Sequence, residues 1–127
     1  MAVNYKPVPK KNPSKQDEPA KFYPSVVSSG EMTIRQLAQQ ISAISTVSTA
    51  DTVAVLEGFL EVVPRALADG KIVRMGDFGS FYVQASGEGA VDADSLTASA
   101  INKISVRFRP GKEFTKVTDF IKFTKLS

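Results

Sequence analysis

Cysteine and histidine are both absent from the sequence. Without cysteine there is no disulfide framework and no thiolate metal site. Without histidine the chain lacks the commonest general base and the commonest metal ligand. No apolar run approaches the ~20 residues needed to cross a bilayer. The opening stretch, MAVNYKPVPKKNPSKQ, holds no apolar segment of the kind a secretory signal needs. The expected compartment on these grounds is the cytoplasm. Proline is missing from the whole span between Pro64 and Pro110. What is present is 127 residues, 43% hydrophobic and 23% charged, which fits one globular domain.

The net charge of +3 is small but unevenly spread. Residues 1–29 carry five lysines against Asp17 and Glu18. Residues 30–100 carry four basic residues against nine acidic ones. Residues 101–127 carry seven basic residues against Glu113 and Asp119. A basic start, an acidic middle and a basic end raise the question of an anionic partner.

Five of the seven prolines, Pro7, Pro9, Pro13, Pro19 and Pro24, fall in the first 29 residues and exclude a helix there. Val3, Tyr5 and Val8, then Phe22, Tyr23, Val26 and Val27, are strand formers. They predict two extended segments, about 3–8 and 20–28, joined by a mobile loop. Their prolines confine them to sheet edges.

Thr33-Ile34-Arg35-Gln36 fits a capping box, and Ile34, Leu37, Ala38, Ile41 and Ile44 then mark one helix face. Ser48 caps a second helix, about 49–68, that ends at Asp69-Gly70. This helix has two apolar stripes. Val53, Leu56, Leu60, Val63 and Leu67 form one; Val55, Phe59, Val62 and Ala66 form the other. A helix apolar on most sides is buried on most sides. One helix and one small sheet cover a single stripe, so a second copy of the chain is the economical cover for the other. Pro64 predicts a kink.

Lys71–Met75 reads as a strand, Gly76-Asp77 as a turn, and Phe78–Gln84 as a second strand. Residues 85–100 are small and polar. Ile101–Arg109 alternates strictly, with Ile104, Val106 and Phe108 on one face and Lys103, Ser105, Arg107 and Arg109 on the other. A short helix over Lys112–Asp119, with Phe114 and Val117 inward, and an alternating Phe120–Lys125 complete the chain.

Charges two residues apart on a strand lie about 7 Å apart, close to the step between successive phosphates. The stripe Lys103, Arg107 and Arg109, with Arg74 able to join it, is therefore either a solvated strand face or a phosphate-binding one. Lys112 and Lys116 on the last helix extend such a footprint or merely solubilise the helix. The N-terminal lysines read as solvated loop charge. Gly87 and Gly89 lack the Gly-Lys-Ser/Thr that a phosphate loop needs. Asp92 and Asp94 lack the glycine and the final Glu of a calcium loop. Glu57 and Glu61 stand four apart on the helix with no nucleophile or histidine to serve, which leaves them on a wet edge. No catalytic residue, metal site, cofactor or small-molecule substrate is expected.

Three runs in order carry a family likeness. They are Leu67-Ala68-Asp69-Gly70-Lys71-Ile72-Val73-Arg74, Phe78-Gly79-Ser80-Phe81, and Val106-Arg107-Phe108-Arg109-Pro110-Gly111-Lys112-Glu113. With the order of two helices, three strands and a helix, residues 31–119 resemble the bacterial HU/integration host factor (histone-like) proteins. The resemblance implies an α+β dimer. Two helices pack on a three-stranded antiparallel sheet with a β-arm, about 85–100, and a C-terminal helix. It divides the chain into an N-terminal extension, 1–30, with added edge strands, and an HU-like domain, 31–127. It implies a nucleoid-associated, largely sequence-independent DNA-binding protein with duplex DNA as its partner. Arg74, Lys103, Arg107, Arg109, Lys112 and Lys116 would contact DNA. Val55, Leu56, Phe59, Val62 and Val63 would form the dimer interface. The sequence departs from the family at Asp77, where a glycine is usual, and in an arm that is acidic and lacks the proline which wedges between base steps. The alternative is an HU-like fold kept as a protein–protein module, its acidic arm docking a basic partner.

Overall fold

The computed structural model describes residues 2–126, which form two compact units. One unit is Ile34–Lys116; the other joins the residues up to Thr33 with those from Val117 onward.

In the Ile34–Lys116 unit, helix α1, Ile34–Ala43, starts directly after Thr33, where a capping-box hydroxyl belongs. Its Ala38 is completely buried, and α1 packs along α2, Thr49–Ala68. Both ends of α2 are set by caps. Ser48 is extended, and its Oγ accepts the Asp51 N–H at 3.1 Å. At the other end Gly70 takes φ 83°, so that the Lys71 N–H reaches back to the Ala66 carbonyl at 3.1 Å. That bond satisfies a carbonyl the helix leaves orphaned. The helix continues without interruption through Pro64.

Three antiparallel strands follow, β3 (Val73–Arg74), β4 (Gly79–Gly87) and β5 (Ile101–Pro110), in the order β3-β4-β5. β3 is shorter than the expected Lys71–Met75 because a 3-10 turn, Gly76–Phe78, takes over, closed by the Met75 N–H on the Gly79 carbonyl. Gly79, at φ 140°, lies so close to β5 that a Cβ there would stand 2.4 Å from the Arg109 carbonyl oxygen. Only glycine fits.

The register places Phe81 opposite Phe108, Val83 opposite Val106 and Ala85 opposite Ile104, all on one face. That face looks toward α2: the Phe81 ring lies 4.9 Å from Phe108 and 6.1 Å from Phe59. Phe78 meets Phe114 edge to face at 4.7 Å, which ties the 3-10 turn to the single-turn helix α3, Lys112–Thr115. The expected continuous helix over Lys112–Asp119 is in fact two single turns, α3 and α4 (Val117–Phe120), meeting at Lys116. Thr115, Val117 and Thr118 are β-branched, which lowers the helix propensity of so short a segment.

The second unit corrects the sequence reading more substantially. The N-terminal strands do not edge the central sheet. β1 (Ala2–Lys10) and β2 (Lys21–Val27) form a hairpin, and β6 (Lys122–Lys125) pairs parallel to β1, giving a separate sheet in the order β2-β1-β6. β1 is thus central, yet it holds Pro7 and Pro9. The reason is local. β6 pairs only with Ala2–Tyr5, so beyond Tyr5 the far side of β1 has no strand partner among the described residues. On the near side Pro7 stands opposite Pro24; two prolines facing each other cost the ladder no bond only at a non-hydrogen-bonded position. Tyr5 and Phe123 meet edge to face at 6.3 Å, and the Leu126 N–H bonds the Tyr5 carbonyl at 2.9 Å. The hairpin loop is a run of turns, with the Lys15 N–H on the Asn12 carbonyl and the Ser14 N–H on Asn12 Oδ1.

Candidate nucleic-acid interface

Side chains alternate along a strand, so the face of the central sheet opposite the phenylalanines is fixed by the same register. Arg74 pairs with Ser80, Ser80 with Arg109, Tyr82 with Arg107, Gln84 with Ser105, and Ser86 with Lys103. Arg74, Lys103, Arg107 and Arg109 therefore share one face with Ser80, Tyr82, Gln84, Ser86 and Ser105, and Ile72 borders it beside Arg74. Along β5 the three cations stand two and four residues apart, about 7 and 13 Å. Arg74 reaches the same face from β3, two strands across.

No carboxylate neutralises this face. Among the described residues the ion pairs are Lys15–Glu18, Glu61–Arg65 and Glu113–Lys116, and none involves Arg74, Lys103, Arg107 or Arg109. Two hollows lie along it. Gln84, Ala85, Ser86, Lys103, Ser105 and Arg107 line one of about 230 Å³. Ile72, Arg74, Ser80, Tyr82 and Arg109 line another of about 140 Å³. Each combines hydroxyl or amide groups with a guanidinium, the donor set that suits a phosphate oxygen.

Tyr82 is the residue that sequence reasoning passed over. Its ring lies under the Arg109 guanidinium, 5.7 Å from carbon to centroid, close enough for a cation–π contact that orients the fork. The signal was available: Tyr82 has the parity of Ser80 and Gln84 on β4, the face away from Phe81.

Lys112 and Lys116 are placed differently. Lys112 opens α3 after the strand ends, and Lys116 Nζ lies 3.3 Å from Glu113 Oε1. Lys116 is thus already paired with a carboxylate, whereas the strand cations are not.

The arm continues β4 and β5 past a register shift at Ser86/Gly87. Its tip is an acidic turn in which Asp92 Oδ1 accepts the Ser95 N–H at 2.8 Å and the Ser95 hydroxyl at 2.7 Å. The Ser95 hydroxyl bond, then the Ser95 backbone bond, holds the Asp92 carboxyl below the usual range. The arm carries Glu88, Asp92 and Asp94 and no basic residue. Among the described residues no group of three or more acidic side chains converges in a way that would hold a metal ion.

A family model, HU-HIG, described as an HU domain fused to wHTH, Ig, or glycine-rich motif, matches residues 1–125. The chain belongs to the HU-HIG family. The match takes in both units, so the terminal sheet is part of the HU-HIG unit along with the central one. Among solved structures, this HU-HIG chain is similar to one described as a candidate bacterial DNA-binding protein from Bacteroides vulgatus ATCC 8482. The two are 17% identical with a TM-score of 0.65, over 98% of this chain and 48% of the other. The HU-HIG chain thus spans about half the length of that protein, and the likeness is one of fold. No curated protein matches it.

The helical side of the HU-HIG chain presents a different surface. Of the residues expected at a dimer interface, Val55 and Val62 are 67% and 62% exposed. Leu56, Phe59 and Val63 are half-buried. Phe59, Leu60, Val63, Pro64, Leu67, Phe81, Val83 and Val106 line an open groove of about 480 Å³ between α2 and the sheet, all of them apolar. No helix among the described residues is long and apolar enough to cross a membrane.

Proposed function

We propose that this chain is an architectural, histone-like protein, a divergent relative of HU and integration host factor that binds the duplex DNA backbone as a homodimer. The observation that carries the proposal is the one-sided central sheet: Arg74, Lys103, Arg107 and Arg109 share a face that has no acidic residue and no ion pair. A soluble strand face would ordinarily mix both signs; a face of one sign attracts a polyanion. Cations on a regular strand meet phosphates without reading base edges, so binding is largely independent of sequence. The family match and the DNA-binding description of the structural relative point the same way. Such a role places the protein in the nucleoid.

Dimerisation rests on what the single chain leaves uncovered. Among the described residues Ala38 and Leu67 are the buried hydrophobics, while Val55, Val62, Ile104 and Val106 are all more than 60% exposed. At roughly 25 cal/mol per Å² of apolar area, leaving that surface wet forfeits most of what a core supplies. A second copy seated on the Phe59–Val106 groove and the Val55/Val62 stripe would cover it.

The test is binding to a random-sequence duplex, followed by fluorescence anisotropy from about 50 to 200 mM salt. The proposal expects a steep loss of affinity with salt and little change between sequences. Absence of binding at the lowest salt overturns it and favours a protein-binding role, for which the acidic arm is the relevant surface.

A further inference from the structure

The terminal sheet carries a second cationic face, and we infer that this face binds the phosphate backbone of duplex DNA in its own right. It rests on duplex DNA being the partner of the central sheet, and separate variants keep the two faces apart.

The register of the terminal sheet sorts its side chains. Lys6 pairs with Ser25, Val8 with Tyr23, Lys10 with Lys21, Ala2 with Lys122 and Asn4 with Thr124. These positions have one parity, so Lys6, Lys10, Lys21 and Lys122 share a face with the small polar Asn4, Ser25 and Thr124, with Tyr23, and with Ala2, Val8 and Val27. The other face holds Tyr5, Pro7, Phe22, Pro24, Val26 and Phe123 together with Lys125, and Tyr23 also lines the hollow there. β1, β2 and β6 contain no acidic residue. All four lysines are exposed, and among the described residues none has an ion-pair partner.

Two details argue against ordinary solvation. Lys10 and Lys21 stand directly opposite each other. Like charges in that position destabilise a strand pair, a cost that a bridging anion turns into a gain. Lysines that merely deter edge-to-edge pairing would serve on either face, yet four of the five strand lysines lie on one; Lys125 is the exception. Lys10 Nζ also lies 6.0 Å from the Tyr23 ring centroid, which holds one arm of the opposed pair in place. Lys6 and Lys10 are four residues apart, about 13 Å, or about two phosphate steps. The chemistry is that of the central sheet: unpaired cations on a regular strand lattice with an aromatic that orients one of them.

The experiment uses the full chain on a random-sequence duplex and measures affinity across the same salt range. Three variants are compared with wild type: K6Q/K10Q/K21Q/K122Q, the charge-keeping K6R/K10R/K21R/K122R, and R107A/R109A. Each phosphate contact contributes about 0.9 to the slope of log affinity against log salt. The glutamine variant should lose about 3.6 units of that slope per subunit and bind at least about tenfold more weakly at low salt. The arginine variant should match wild type. A glutamine variant with unchanged slope and affinity overturns the inference while leaving the central sheet's role to R107A/R109A. An arginine variant as weak as the glutamine one overturns it too, because charge is then not what matters. A loss in the glutamine variant with none in R107A/R109A supports the terminal face and sinks the proposal for the central one. No duplex binding by wild type overturns both.

Discussion

The guanidinium carbon of Arg109 lies 5.7 Å from the centre of the Tyr82 ring, on the face of the central sheet that carries every unpaired strand cation of that unit. An exposed cation–π contact contributes about 0.5–1 kcal/mol. Tyr82→Leu should therefore weaken duplex binding about two- to fivefold, whereas Tyr82→Phe should stay near wild type. Dissociation constants for the two variants at one fixed salt concentration check this. Equal losses would assign the effect to the hydroxyl instead of the ring.

Glycine is demanded where β4 meets the end of β5. Gly79 has φ 140°, and its added Cβ would stand 2.4 Å from the Arg109 carbonyl oxygen. Gly79→Ala should cost at least about 2 kcal/mol. Gly89, in the arm, has open space around it, so Gly89→Ala should stay within about 0.5 kcal/mol of wild type. Urea denaturation midpoints measure both.

The α2 stripe separates a monomer from a dimer. Val62 is 62% exposed in the single chain. In a monomer, Val62→Asp is a surface change within about 0.5 kcal/mol. In a dimer it buries an unpaired charge at a cost of several kcal/mol. The expected result is wild-type light scattering at twice the 13.7 kDa chain mass, with Val62→Asp monomeric or unfolded. A folded monomeric wild type at micromolar concentration would contradict the dimer.

At the arm tip, the Ser95 bonds hold the Asp92 carboxyl below its usual range. A depressed carboxyl supports the turn above its unfolded value and loses that support as pH falls through the folded one. A carbon-detected titration of Asp92 should show the depression, and Ser95→Ala should reduce it by removing the hydroxyl bond while the Ser95 N–H bond remains. Because the group is fully exposed, the effect is confined to the turn.

What the residues disclose follows the range of the interactions involved. The caps at Ser48 and Gly70 are local, and so is the alternation along Ile101–Arg109; both were legible and both positioned the cationic face. The pairing of β6 with β1 was not legible. Phe120–Lys125 alternates as a strand should, but nothing local names a partner more than a hundred residues away. Pro7 and Pro9 pointed to an edge strand. They are accommodated in a central one because β6 stops at Tyr5. Tyr82 was legible by its parity along β4 and was passed over, whereas the lysines of the terminal sheet needed the register before their shared face could be seen. The break at Lys116 has no proline or glycine to announce it.

The central claim is that the strand face, and not the arm, supplies the affinity for DNA. The most direct measurement compares the salt slope of duplex binding for wild type, R107A/R109A and a chain whose arm is shortened between Ser86 and Ser99. The account predicts that R107A/R109A loses affinity on all sequences alike and that its slope falls by about 1.8 per subunit. The shortened arm should bind close to wild type, since Glu88, Asp92 and Asp94 repel phosphate. Wild-type binding by R107A/R109A, together with lost binding on shortening the arm, would contradict it.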